Sequence, residues 1–310
     1  MTLPVSGPIS LKDVNVELGL SGTTSIGMND ASVRTLFGVP SGPISMDNGY
    51  GKSNRVTASA TISSDTANYT VNTAKASGYV AGKTDFTLTI NAGVFVYSGS
   101  TGTPALTVDT SWAAGDTVTI INNGIIQGMG GNGGTGGYWA AGYPNGQSGS
   151  AGGNALTAQR ATIINNSSGV IAGGGGGGGG GSSGQYYNPC EGAPFFNGGG
   201  GGGGGRTGRT NSSGGAAGQA TSGQPYAAGS PGGEGTSSSA GGGGGGGSNG
   251  GGGYTGGSGG TGGDRGTSGS NGGSTPVFGG GAGGGAGGSA VSGNSNITWT
   301  AFGTRNGAIT

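Results

Sequence analysis

Three patterns of apolar and polar positions succeed one another along the chain. In residues 1–53 the apolar residues fall into two short helical stretches. Residues 10–19, SLKDVNVELG, predict a helix capped by Ser10, with Asp13 three positions on to complete a capping box and Gly19 to end it. A second helix follows through Val33, Leu36 and Phe37, with Asn29 or Asp30 as its cap and Gly38 as its stop. The phrase Ser-Gly-Pro-Ile-Ser occurs at 6–10 and again at 41–45, bracketing the unit. About fifty residues bury little surface alone, so the unit reads as one that leans on a partner.

Residues 54–127 change character. RVTASATI, NYTVNTA, FTLTINAGVFVYS, ALTVDT and DTVTIINNGII are rich in Thr, Val, Ile and Tyr, alternate partially, and are separated by Gly and Asp turns. They predict several short strands arranged as a small β-sandwich or an open β-roll. A weak repeat then appears. Residues 116–128 read DTVTIINNGIIQG and residues 159–173 read QRATIINNSSGVIAG, with 296–310 as a looser third copy. Each of the first two carries an apolar pair, Asn-Asn, and a second apolar pair before glycine, as expected of strands or rungs that return to one shared base.

In the third pattern side chains nearly vanish. Glycine supplies 88 of 310 residues, and 173–181, 198–205 and 241–247 contain nothing else. Glycine costs about 1 kcal/mol per residue relative to alanine in a helix, so no helix survives such runs. Either the region is a flexible linker or its backbones pack on one another as polyproline-II rods, whose N–H and C=O groups must then bond to neighbouring rods. Cutting 128–289 at its bulky residues leaves ten runs, most of similar length: 128–137, 148–154, 173–184, 198–205, 214–223, 232–235, 241–253, 256–263, 266–273 and 279–289. A linker has no reason to keep such lengths. Threaded up and down from a base strand at 116–127, the runs place every aromatic residue between 128 and 289 at the far end and every polar or charged turn at the near end. The far-end residues Tyr138, Trp139, Tyr143, Tyr186, Tyr187, Phe195, Phe196, Tyr226, Tyr254 and Phe278 are the candidate binding site, since exposed aromatics are typical binding anchors.

Charge and chemistry exclude more than they propose. Eleven basic residues balance eleven acidic ones, which leaves no basic stripe for nucleic acid. Histidine is absent and Cys190 stands alone, so no Ser/His/Asp set, disulfide framework or Cys-based metal site is expected; Cys190 reads as a small apolar side chain. No cofactor, metal or catalytic residue is expected. Gly51-Lys52-Ser53 lacks the glycine a phosphate-binding loop needs five residues before Gly51, where Met46 stands. Asp109 and Asp116 read as turn residues flanking Trp112 rather than as a catalytic pair. Asn68 and Asn296 fit the glycosylation pattern without a secretory signal to support them. No apolar stretch is long enough to span a membrane, and no leader pattern opens the chain, so synthesis in a host cytoplasm is expected.

GPISLKDVNVELG, NDASVRTLFG and GPISMDNGYGKS together resemble a short module at the start of many phage virion proteins. FTLTINAGVFVYSGS and DTVTIINNGIIQGMGGNGG are similar to the region leading into the glycine-rich domains of tailed-bacteriophage receptor-binding proteins, and the glycine half resembles the tail-fibre-tip adhesins of T-even-like phages. The N-terminus departs from the attachment domain of those adhesins. The resemblance implies a mainly β chain with a non-α/non-β part: an N-terminal helical, virion-attachment module (1–53), a β-sandwich-like connecting domain (54–127), and a C-terminal bundle (128–310) of about ten antiparallel polyglycine-II helices with distal loops and a return strand. It implies a virion location at the tail fibre or tip, a bacterial outer-membrane protein or surface glycan as receptor, and other tail or fibre proteins as partners of residues 1–53. The alternative is a structural fibre or decoration protein that touches no receptor. The aromatic far end separates the two, because a spacer does not need it.

Overall fold

The computed structural model describes residues 2–138, 145–187, 194–220, 227–248, 255–277 and 280–310, with backbone alone at 186–187 and 194–195. Helix α1 (Leu11–Leu18) carries the expected capping box between Ser10 and Asp13 and ends at Gly19, whose φ of 78° suits glycine. Helix α2 (Ala31–Phe37) begins at Asp30 and ends at Gly38. The Asp30 carboxylate does not cap it; it accepts from the Gly27 N–H at 2.8 Å. Leu3, Val14, Val33, Leu36 and Phe37 form a small core of their own, against which Ile9 and Ile44, one from each Ser-Gly-Pro-Ile-Ser phrase, also pack. The unit closes where Leu3 N–H donates to Lys52 O and Gly51 N–H to Pro4 O.

From residue 56 the chain winds as a three-sided coil. The first turn lays down β1 (Val56–Ile62), β2 (Thr66–Ala67) and β3 (Tyr69–Val71); the second β4 (Thr84–Ile90), β5 (Phe95–Tyr97) and β6 (Leu106–Val108); the third β7 (Thr117–Asn122), β8 (Ile125–Gln127) and, after an excursion, β9 (Leu156–Ala158). The fourth turn lays down β10 (Thr162–Asn165) and β11 (Val170–Ala172), makes a long excursion holding the hairpin strands β12 (Gly184–Tyr187) and β13 (Pro194–Asn197), and resumes at β14 (Val291–Ser292). The last turn is β15 (Ile297–Ala301), β16 (Thr304–Asn306) and a parallel bridge from Ile309 to Val291. Three sheets result, ordered β1-β4-β7-β10-β15, β2-β5-β8-β11-β16 and β3-β6-β9-β14, with every strand pairing in them parallel.

Inward positions stack into apolar columns: Leu88, Ile120 and Ile164 on the first sheet, Val96, Ile126 and Ile171 on the second, Leu106, Leu156 and Val291 on the third, all fully buried. Each such side chain contributes about 1.5–3 kcal/mol. Trp112 fills one corner and donates from Nε1 to Val71 O at 3.1 Å. Asp109 and Asp116 are turn residues, as expected: Asp109 accepts from Ser111 N–H, and Asp116 from Ala113 N–H, Thr84 N–H and the Tyr79 hydroxyl.

The repeat at 116–128 and 159–173 is two successive turns, but the sheet pairs them one residue out of step with their letters. Ile164 lies beside Ile120 rather than Ile121, which puts Asn166 beside Asn122 inside the coil. Alternation enforces this, because a one-residue slip would turn every inward side chain outward. Asn122 Nδ2 donates to Asn166 Oδ1 at 2.7 Å, and Asn166 Nδ2 donates to Phe302 O at 2.8 Å. Both asparagines are fully buried. Asn166→Ala is expected to cost about 2–3 kcal/mol, because it removes one of the Asn122 amide's two bonds and the bonds to the Phe302 and Thr304 carbonyls; chemical denaturation measures it, and a cost near zero would show that the ladder is not stabilising.

These observations correct the expected fold. The middle strands pair parallel and close a coil, so they are not a β-sandwich, and residues 291–310 continue that same coil. Nor is the glycine region an antiparallel bundle of polyglycine-II helices. It is two excursions from the coil, 128–155 and 173–290, both leaving the second sheet and returning on the third. Its segments continue the sheet's parallel pairing: the N–H groups of Gly128, Gly131, Gly134 and Gly137 donate to Ala172, Gly175, Gly178 and Gly181 in turn. Other neighbours run the opposite way, as when Gly199, Gly202 and Gly205 donate to Gly137, Gly134 and Gly131. Bonds spaced three residues apart turn each segment toward a different neighbour at each step. A Cβ on Gly173 would meet Gly288 O, one on Gly174 Met129 O, and one on Gly175 Gly263 O, each within 2.0 Å. The pure-glycine runs 173–181 and 198–205 are buried throughout, so no position in them has room for a side chain.

Candidate functional site

The glycine segments have a near end on the coil and a far end away from it. At the near end the turns are charged and docked. The Arg209 guanidinium meets Asp65 at 2.5 Å and stacks 4.3 Å over the Phe95 ring. Arg265 Nε donates to the buried Gln127 at 3.0 Å, and Arg206 pairs with Asp264 at 2.9 Å. Burial pushes the Asp264 carboxyl up, but the Arg265 backbone N–H and the Arg206 guanidinium outweigh it and hold the group below its ordinary value. Burial, reinforced by Arg206, lowers Arg265.

At the far end, the residues on either side of every undescribed internal stretch lie at one level. Gly137 and Gln147 flank 139–144, Ser182 and Gly198 flank 188–193, Gly218 and Gly229 flank 221–226, and Gly247 and Gly256 flank 249–254. A chain of bonds links them: Gly199 to Gly137, Gly218 to Gly199, Gly229 to Gly218, Gly247 to Gly198, Gly256 to Gly247 and Gly257 to Ser182, while Gln147 joins through the Gly180 N–H, which donates to its carbonyl. Gly273 and Ala282, which flank 278–279, join the same level through Ser182 N–H to Gly273 O and Ala282 N–H to Gly180 O. The platform beneath is polar and buried: Ser182 Oγ donates to Gly273 O, and the Thr275 hydroxyl donates to Ser183 O at 2.8 Å.

Of the expected site residues, Tyr138 is half-buried at the end of its glycine segment. Tyr186 and Phe195 are opposite one another in the antiparallel β12–β13 hairpin, as are Tyr187 and Pro194. Phe196, opposite Gln185, is buried at 6% exposure. Trp139, Tyr143, Tyr226, Tyr254 and Phe278 lie outside the described residues, as does Cys190. Among the described residues, no group of three or more His, Cys, Asp and Glu could hold a metal ion, and no helix is long and apolar enough to cross a membrane. Sequence reasoning missed the docked Arg209–Asp65–Phe95 contact, since nothing in the letters links residues that far apart.

A family model described as phage tail fibre adhesin Gp38 matches residues 57–310, the coil together with both glycine excursions. The chain belongs to that adhesin family. It is a bacteriophage virion structural protein of the tail fibre, and its family is one of adhesins. Across 99% of this adhesin and all of the other chain, it is similar at 24% identity and a TM-score of 0.48 to a structure titled as the crystal structure of the gp37–gp38 adhesin tip complex of the bacteriophage S16 long tail fibre. A comparison with curated proteins finds no match. The family match leaves the helical unit outside it.

Proposed function

We propose that this adhesin recognises a bacterial outer-surface molecule, an outer-membrane protein or a surface glycan, through the far end of its glycine segments. The supporting observation is the common level of the segment ends, from which the stretches bearing Tyr138, Trp139, Tyr143, Tyr186, Tyr187, Phe195, Tyr226, Tyr254 and Phe278 all depart. Rigid aromatics give large contact area at low entropy cost, and the packed backbone beneath holds their attachment points fixed, which limits the ordering cost of binding. Purified protein is to be pulled down on intact host bacteria, with and without shortening of 139–144 and 188–193. Binding that survives the shortening moves the receptor site away from these loops, and a full-length protein that binds no cells returns the chain to the role of a spacer.

The helical unit, in this reading, joins the adhesin to another tail or fibre protein. It has its own core, stands outside the family match, and exposes Val5, Leu11, Val16, Leu20 and Tyr50. Removing residues 1–53 is expected to leave a folded protein that binds cells but is missing from virions; particles that still carry it exclude this role.

A further inference from the structure

Among the described residues, β15 and β16 of the last turn are the outermost strands of their sheets, and an exposed sheet edge invites pairing with another chain. The inward columns continue into this turn. Ile164 is followed by Trp299, and Ile171 by Arg305. Arg305 thus takes a position that Val96, Ile126 and Ile171 fill with hydrocarbon in the turns beneath, and it is the sole charged residue in 291–310. Its guanidinium lies 4.9 Å from the Trp299 ring centre and 4.6 Å from that of Phe302, which is 57% exposed. The asparagine ladder sets this up. Asn166 holds the carbonyls of Phe302 and Thr304, and Gly303 between them has a φ of 56° and no space for a side chain beside Asn166.

We propose that Arg305, stacked on Trp299 and Phe302, is a charged lid that stops a second copy of this chain from adding its own coil end to the open last turn. An aliphatic side chain there would extend the apolar columns to the surface and leave a patch that a second copy could bury. The guanidinium lets the columns end in a group that stays hydrated on one side and satisfied by two aromatic faces on the other. End-to-end association would force two such cations into one interface, to which no side chain of 291–310 brings a negative charge, and an unpaired buried charge is strongly unfavourable.

The test uses the full chain, followed by light scattering and sedimentation velocity over a wide concentration range. The wild type and Arg305→Lys, which keeps the cation, are expected to run as single chains. Arg305→Met, close in volume and uncharged, is expected to self-associate at least about tenfold more tightly. Adding Phe302→Asp to it should restore the single chain. If the methionine variant does not fold, as judged by its circular dichroism, Arg305→Gln is read in the same way. A folded, uncharged variant that stays a single chain overturns the proposal, and so does a wild type that already associates through this end, as shown by its dissociation on Phe302→Asp.

Discussion

Gly177→Ala is expected to unfold the glycine region, whereas Gly242→Ala leaves it intact or slightly more stable. Gly177 lies in a buried run, and a Cβ there would sit 1.9 Å from the carbonyl oxygen of Asn132 and 2.4 Å from its carbon. That oxygen cannot yield as a flexible side chain would. It accepts a bond from Ser150 N–H and belongs to a segment fixed on both sides. Overpacking in ordinary cores costs about 1–3 kcal/mol; here backbone would have to move against backbone, and the loss should exceed that range. A Cβ on Gly242 meets nothing within 4 Å, and its φ is not in the positive range. Alanine there removes unfolded-state freedom and should add about 0.4–1 kcal/mol. Thermal unfolding of the two variants beside the wild type decides it. Equal midpoints would mean that the all-glycine runs are not closely packed backbone.

Replacing Tyr186 and Tyr187 together by serine is expected to weaken binding to host cells by about 2 kcal/mol or more, roughly thirtyfold in Kd. Both residues belong to the hairpin strand that rises from the far end, and Phe195 stands across from Tyr186. Phe195→Ser should act in the same direction. Phe196 is buried, so its loss would report on hairpin stability rather than on contact with a receptor. The controls are at the other end. Arg209→Ala breaks the pair with Asp65 and the stack on Phe95, and Arg265→Ala removes the bond to Gln127, yet both should leave cell binding unchanged. Glu191 is the one charged residue in 185–197, so binding should depend only weakly on salt. Adsorption lost in the arginine variants and kept in the tyrosine variant would invert the assignment of the two ends.

The letters alone determine what is local. Ser10, Asp13, Gly19 and Gly38 mark the helix ends because caps and left-handed stops act within a turn of themselves. Asp109 and Asp116 are turn residues for the same reason, and the Asn-Asn repeat announces rungs on a shared base. Unbroken glycine is also legible as closely packed backbone, since a segment enclosed on every side has no room for any Cβ. Strand partners are not local. Alternation says that one face of 56–62 is buried but not whether its neighbour lies across a hairpin or one full turn later, and here Val56 pairs with Thr84 in parallel. Only the tertiary structure decided that three parallel sheets close a coil, that the repeat pairs one residue out of step so that Asn166 meets Asn122, and that Arg209 docks on Asp65. Those outcomes depend on which surfaces meet over long stretches of chain, where the cost of closing the loop and the fit of buried columns outweigh any preference of a single residue.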